Sequence, residues 1–169
     1  MSAHFLVQGS SRSQGNTHQV THLIQTALQA PLADLNQLKI HQYTYEHAHV
    51  EDDFLPLMRQ VVAHDICWLL TPVYWYSMSG LMKNFLDRFT DCLKVEKELG
   101  RKLRGKKLAA VACGSEAAET PGFFIPFEYS AAYLGMEYLG HLHTWVAGNV
   151  LSSEEQERIA DFVRNIDRS

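Results

Sequence analysis

Gly9-Ser10-Ser11-Arg12-Ser13-Gln14-Gly15-Asn16-Thr17 stands between the apolar run Phe5-Leu6-Val7 and a stripe of Val20, Leu23, Ile24, Ala27 and Leu28 at helical spacing. A strand that ends in small polar residues and opens into a helix aims several backbone N–H groups, and the positive end of the helix dipole, at one point. Ser10, Ser11, Ser13, Asn16 and Thr17 add side-chain donors, and Arg12 adds a guanidinium fork that suits phosphate oxygens. The stretch lacks the Gly-Lys-Ser/Thr ending of a Walker loop and is not a Gly-x-Gly-x-x-Gly turn, so a terminal monophosphate fits it better than a diphosphate. Taken alone, the same residues also read as a polar turn capped by Asn16 or Thr17.

Outward from this loop the chain alternates strand and helix signals five times. Strands are expected near residues 4–8, 36–41, 65–71, 107–113 and 138–146. Helices are expected on Phe54, Leu57, Met58, Val61 and Val62, and on Met82, Phe85, Leu86 and Phe89, each set spaced to line one face. A fourth helix, interrupted upstream by Pro121, Gly122 and Pro126, is expected from about Phe127 to Leu134. Ser152 with Glu155 reads as a capping box ahead of Ile159, Phe162, Val163 and Ile166. Runs such as Ile66-Cys67-Trp68-Leu69-Leu70 and Leu108-Ala109-Ala110-Val111-Ala112 are apolar throughout, as in a parallel sheet covered on both faces. The expected fold is therefore α/β: one doubly wound, three-layer domain over residues 1–169, with a five-stranded parallel sheet in the order 2-1-3-4-5. Ligands bind such sheets at the carboxyl ends of the strands beside the switch point between strands 1 and 3. That rule selects the segments after residues 8, 71 and 113.

The second of these reads Pro72-Val73-Tyr74-Trp75-Tyr76-Ser77, and three consecutive aromatics offer flat apolar surface to a planar heterocycle. Ser77 or Ser79 can cap the helix that follows. The third reads Cys113-Gly114-Ser115-Glu116, a small residue with donors for a ring edge.

With these residues in view, the chain resembles the NAD(P)H-dependent FMN reductase branch of the flavodoxin-like superfamily. The likeness is carried by Gly9 to Thr17, by Pro72-Val73-Tyr74-Trp75 through Ser79-Gly80-Leu81-Met82-Lys83-Asn84-Phe85-Leu86-Asp87-Arg88, and by Gly135-Met136-Glu137-Tyr138-Leu139-Gly140 before the last strand. The resemblance implies that Ser10, Arg12, Ser13, Gly15, Asn16 and Thr17 hold an FMN phosphate. It implies that Pro72, Val73, Tyr74, Trp75, Tyr76 and Ser77 line the isoalloxazine and that Cys113, Gly114, Ser115 and Glu116 close its pyrimidine side. A hydride would pass from NADPH or NADH to the flavin and on to flavin, a quinone, an azo or a nitro compound in ping-pong order. No side chain need act as nucleophile, because the cofactor carries the chemistry. A flavodoxin-type carrier or a flavin-bearing regulatory subunit with little turnover is the alternative. Against the carrier stand Arg12 in the phosphate loop and a formal net charge of only −4. A phospho-receiver is excluded because Gln8-Gly9 and Thr71-Pro72 occupy the positions where it needs acids.

The charge balance offers no basic field for nucleic acid. Lys and Arg are scattered apart from Arg101 to Lys107, expected to be a solvated turn before a strand. No apolar run approaches membrane-spanning length and no leader pattern opens the chain, so a cytoplasmic protein is expected. Cys67, Cys92 and Cys113 form no Cys-x-x-Cys pair and read as reduced, buried thiols. Among the nine histidines, the pairs His18/His22, His47/His49 and His141/His143 lack acidic or cysteine partners at ligand spacing, and no metal is expected. Asp87-Arg88 is expected to form an intrahelical or helix-to-loop charge contact, and Lys83 to face solvent. Phe123, Phe124, Ile125 and Phe127 within Thr120–Glu128 are expected to be exposed, as the contact of a homodimer or dimer of dimers or as a cover over the site. A loop folded over its own core is the other reading of that segment.

Overall fold

The computed structural model describes residues 3–169. Its elements are β1 (His4–Gln8), α1 (Asn16–Leu28), β2 (Leu32–Asp34), a 3-10 turn (Leu35–Gln37), α2 (Phe54–Val61), β3 (Ile66–Tyr74), β4 (Ser77–Met78), α3 (Gly80–Asp87), α4 (Phe89–Lys94), α5 (Lys97–Leu103), β5 (Lys107–Gly114), α6 (Ile125–Leu134), β6 (Glu137–Trp145) and α7 (Ser153–Asp167). The sheet runs β2-β1-β3-β5-β6 with every neighbour parallel, and β4 folds back antiparallel on β3. Apart from that short hairpin strand, this is the expected 2-1-3-4-5 order of a flavodoxin-like sheet.

Alternate strand residues feed opposite faces, as the two-residue period of a strand requires. Phe5, Val7, Cys67, Leu69, Leu108 and Ala110 pack under α2 to α6, while Leu6, Ile66, Trp68, Leu70, Ala109 and Val111 pack under α1 and α7. Among the described residues no helix is long and apolar enough to cross a membrane.

The second strand lies at Leu32–Asp34 and not at 36–41. Leu38 and Ile40 do pack against the core, but from an extended segment that pairs with no strand among the described residues. Side-chain carboxylates replace the ladder there: the amide of Lys39 donates to Asp53 at 2.7 Å and that of His41 to Asp52 at 2.9 Å. The alternation of apolar residues reported burial on one side, which does not require sheet hydrogen bonds. The basic run also differs from expectation, since Arg101 and Lys102 lie within α5.

In the 120–128 segment, Phe123, Phe124 and Phe127 are buried, and only Ile125 of the four is exposed. The three rings pack on one another, and Phe124 stacks on His141 at 4.0 Å, so the segment folds over its own core. The outer face of α6 carries Ile125, Tyr129 and Tyr133 instead. That helix ends at Gly135, whose φ of 71° is the left-handed cap glycine adopts at least cost.

Half of the capping box forms at α7. Ser152 accepts the amide of Glu155 at 3.2 Å, but the Glu155 carboxylate is fully buried and accepts the Thr144 hydroxyl at 2.6 Å. Tertiary pairing outcompeted the local cap. Arg88 is likewise buried at 1% exposure, donating to Asp52, to Asp91 and to the carbonyls of His41 and His49. It ties the loop after β2 to α3 and α4, the expected helix-to-loop contact, while Lys83 is exposed and pairs with Asp87 at 2.5 Å.

Candidate active site

Because β1, β3 and β5 are parallel neighbours, their carboxyl ends share one edge, and the three selected segments converge there. After the buried Gln8, Gly9 donates to the Leu70 carbonyl at 2.8 Å before the chain leaves the sheet. A Cβ on Gly9 would stand 3.0 Å from the Met82 side chain, so glycine lets α3 close on the loop. Ser79 supplies the cap of α3: its hydroxyl donates to the Gly9 carbonyl and accepts the Met82 amide at 3.0 Å. The loop and α3 are thereby locked together.

Within the loop, the buried Ser10 hydroxyl accepts the Arg12 amide at 3.3 Å. Ser13 Oγ accepts from Asn36 at 3.2 Å and Gln37 at 2.7 Å, which leaves its own proton free to donate. Gly15 is the N-cap of α1, and among the described residues no side chain caps the helix, contrary to a turn closed by Asn16 or Thr17. The Asn16 and Thr17 amides have no carbonyl partner among the described residues. Asn16 Oδ1 accepts from Gln19 at 3.5 Å, and Thr17 is buried. Gln8 donates to the Ser13 carbonyl at 3.2 Å, but its Oε1 is buried with no partner among the described residues. Free amides at a dipole's positive end, hydroxyls with protons to give and an exposed guanidinium match a phosphate monoester.

β3 extends three residues past its expected end, so Pro72, Val73 and Tyr74 are strand residues and Ser77 belongs to β4. Pro72 is buried and pairs with Cys113, and its missing N–H faces the side that β1 has already vacated, so no ladder bond is lost. Val73 pairs with Met78 and Tyr74 with Ser77, leaving Trp75 and Tyr76 as a two-residue turn. Their φ values of 47° and 62° make it a type I′ turn, normally occupied by Asn-Gly. Two aromatics held in this conformation are strained, and strain of this kind concentrates at functional sites. Trp75 is 94% exposed and Tyr76 75%. The Tyr74 phenol meets the Ser11 hydroxyl at 2.7 Å, which joins the hairpin to the loop after β1.

Across from the hairpin, Gly114, Ser115 and Glu116 leave β5. A cleft of about 450 Å³ lies between them, lined by Val73, Trp75 and Tyr76 on one side and by Gly114 to Glu116 and Ala118 to Pro121 on the other, with His143 at its floor. Of the residues singled out in the sequence, Val73, Trp75, Tyr76, Gly114, Ser115 and Glu116 face this cleft. Ser10, Arg12, Ser13, Gly15, Asn16 and Thr17 form the open cradle beside it, and Pro72 and Cys113 are buried supports. Burial pushes the Cys113 thiol up to about 11.

His143, on the expected strand 138–146, carries no signal of a place in the site along the sequence. Its Nε2 donates to the Glu116 carbonyl at 2.9 Å, and a Cβ on Gly114 would lie 3.1 Å from its ring. It reaches the site through a bulge: Leu108 pairs with Tyr138 but Ala109 with Gly140, where φ is 113°. The extra residue switches which face the following side chains serve, turning His141 and His143 toward α6 and the cleft. An isolated glycine inside a strand pattern was the signal in the sequence. Among the described residues no three His, Cys, Asp or Glu side chains gather as a metal site.

The chain is 25% identical over 152 residues to YwqN of Bacillus subtilis strain 168, named as an NAD(P)H-dependent FMN-containing oxidoreductase, with 81% of each protein covered. Its fold matches the Trp repressor binding protein of Bacillus subtilis at a TM-score of 0.78 and 19% identity, covering 98% of this chain and 99% of the other. It also matches general stress protein 14 of Treponema denticola, solved in complex with FMN, at 0.64 and 15% identity, covering 99% and 97%. The model of the NADPH-dependent FMN reductase family matches residues 4–121, from β1 through all three converging segments. The chain therefore belongs to the NADPH-dependent FMN reductase family.

Proposed function

We propose that residues 1–169 act as one FMN-binding domain that oxidises NADPH or NADH and reduces a small acceptor. When bound, FMN supplies the redox chemistry, taking a hydride from the nicotinamide and passing its reducing equivalents to flavin, a quinone, an azo or a nitro compound in ping-pong order. The observation that carries this reading is the uncapped start of α1 at Gly15 beside Ser10, Arg12, Ser13, Asn16 and Thr17. Those residues bind the phosphate. The cleft walls Trp75, Tyr76, Gly114, Ser115 and Glu116 orient the ring system, with Pro72, Tyr74, Ser77 and Cys113 holding those walls in place. His143 fixes the Glu116 carbonyl and so stiffens the pyrimidine side.

Anaerobic stopped-flow mixing of the FMN-loaded protein with NADPH and with NADH tests the reading. Fast flavin bleaching without much semiquinone, reversed over many turnovers by a quinone, is expected. No direct reduction, together with a stable semiquinone, would establish an electron carrier. The chain is further proposed to work as a homodimer or dimer of dimers, with Ile125, Tyr129 and Tyr133 replacing the buried phenylalanines as the contact. Light scattering that finds a monomer at micromolar concentration would remove that part.

A further inference from the structure

We propose that the cleft between the β3–β4 hairpin and the segment after β5 selects a planar ring by charge, binding N-alkylpyridinium cations ahead of neutral rings and neutral rings ahead of anions. This rests on reading the cleft as the place where nicotinamide and acceptor meet the flavin. Among the described residues its lining includes Glu116 and Glu119 but no lysine or arginine. Glu116 enters no ion pair among these residues, and the one partner of Glu119 is His141 at 3.8 Å. The carboxylates are thus left to act on whatever enters.

The walls work in the same direction. Trp75 and Tyr76 are the most exposed aromatics beside the cleft, and the faces of such rings attract cations. The tight turn that holds them at the hairpin tip keeps both rings at the rim. A dihydronicotinamide ring is neutral and becomes a pyridinium cation when it gives up its hydride, so the cleft favours the oxidised ring over the reduced one. An acceptor carrying a sulfonate or carboxylate on its ring is disfavoured for the same reason. Glu116 and Glu119 are specificity-determining residues in this scheme, and neither needs to exchange a proton.

Three pyridines that differ in charge and undergo no reaction test it: 1-methylnicotinamide, nicotinamide and nicotinate. Each is titrated at pH 8 and low ionic strength into the FMN-loaded protein, following the NMR signal of the Trp75 indole, assigned with Trp75→Phe. The cation should bind about tenfold more tightly than the neutral amide, and nicotinate about tenfold more weakly, the effect of a unit charge about 6 Å from a carboxylate at an effective dielectric of about 40. Glu119→Gln, a change outside the residues that hold FMN, should shrink each tenfold step to about threefold while retaining FMN. Equal affinities in the wild type, a preference that survives undiminished in Glu119→Gln, or no response at Trp75 to any of the three would overturn the inference. FMN retention is measured first, and the titration is repeated on FMN-free protein. Failure to bind FMN thus counts against the functional reading, and loss of charge preference counts against this inference alone.

Discussion

Replacing Arg12 with alanine removes one charge from the proposed phosphate cradle and leaves the rest standing. Arg12 is exposed and takes part in no salt bridge among the described residues, so its loss breaks no internal ion pair. Its amide, which bonds Ser10 Oγ, is retained in the variant. The cost therefore falls on the ligand. A hydrogen bond to a charged group contributes about 1.5–3 kcal/mol, and solvent access places this one in the lower part of that range. FMN affinity should fall about 10- to 40-fold. Riboflavin has the same ring system and no phosphate, and its affinity should not change. The informative quantity is the ratio of the two dissociation constants, measured by flavin fluorescence in wild type and variant, because it cancels any general damage to the ring site. The ratio should also fall as salt screens the exposed pair, since the screening length is about 10 Å at 0.1 M. Equal loss for both flavins, or no loss for FMN, would refute the assignment of the α1 N-terminus to the phosphate.

Converting the hairpin tip to the sequence its backbone prefers, Trp75→Asn with Tyr76→Gly, should raise stability by about 1–2 kcal/mol in urea melts while slowing turnover with NAD(P)H, since the strain is relieved and the rings are lost. Unchanged turnover would show that the aromatics have no part in the reaction. Arg88→Met should destabilise the fold by about 3–5 kcal/mol, because it strands the buried carboxylates of Asp52 and Asp91, yet leave the FMN-to-riboflavin affinity ratio intact. The pH dependence of that cost follows from Asp52. Burial alone would push its carboxyl up, but hydrogen bonds from Arg88 and from the His41 and Phe54 amides outweigh it and hold it below the ordinary range. A depressed carboxyl stabilises fully above its unfolded value of about 4 and loses that contribution as pH falls through the folded value, so the gap between wild type and Arg88→Met should narrow below about pH 4. A gap that widens in acid would contradict this origin.

What the sequence determined by itself was whatever local pattern controls. The apolar runs of β1, β3 and β5 and the helical stripes set the parallel sheet, and the small polar residues from Gly9 to Thr17 set a helix start open to an anion. Where local pattern served two masters, it misled. Leu38 and Ile40 alternate like a strand because one side is buried, but their segment is held by Asp52 and Asp53 carboxylates instead of a neighbouring strand. Phe123, Phe124 and Phe127 look like a surface in a segment broken by proline and glycine, and only the packed rings and the stack on His141 reveal them as core. Glu155 spelled a capping box and was taken by Thr144, eleven residues away in sequence. The largest difference concerns the cleft. No spacing along the chain brings His143, Glu119 and Pro121 opposite Trp75, because that meeting depends on one extra residue at Gly140, which changes the face of the strand, and on a turn that two aromatics do not advertise. The proposed phosphate cradle is a property of one continuous stretch, and its residues and helix start can be named from the sequence alone. The cleft is made by three strands at once, and only their packing decided it.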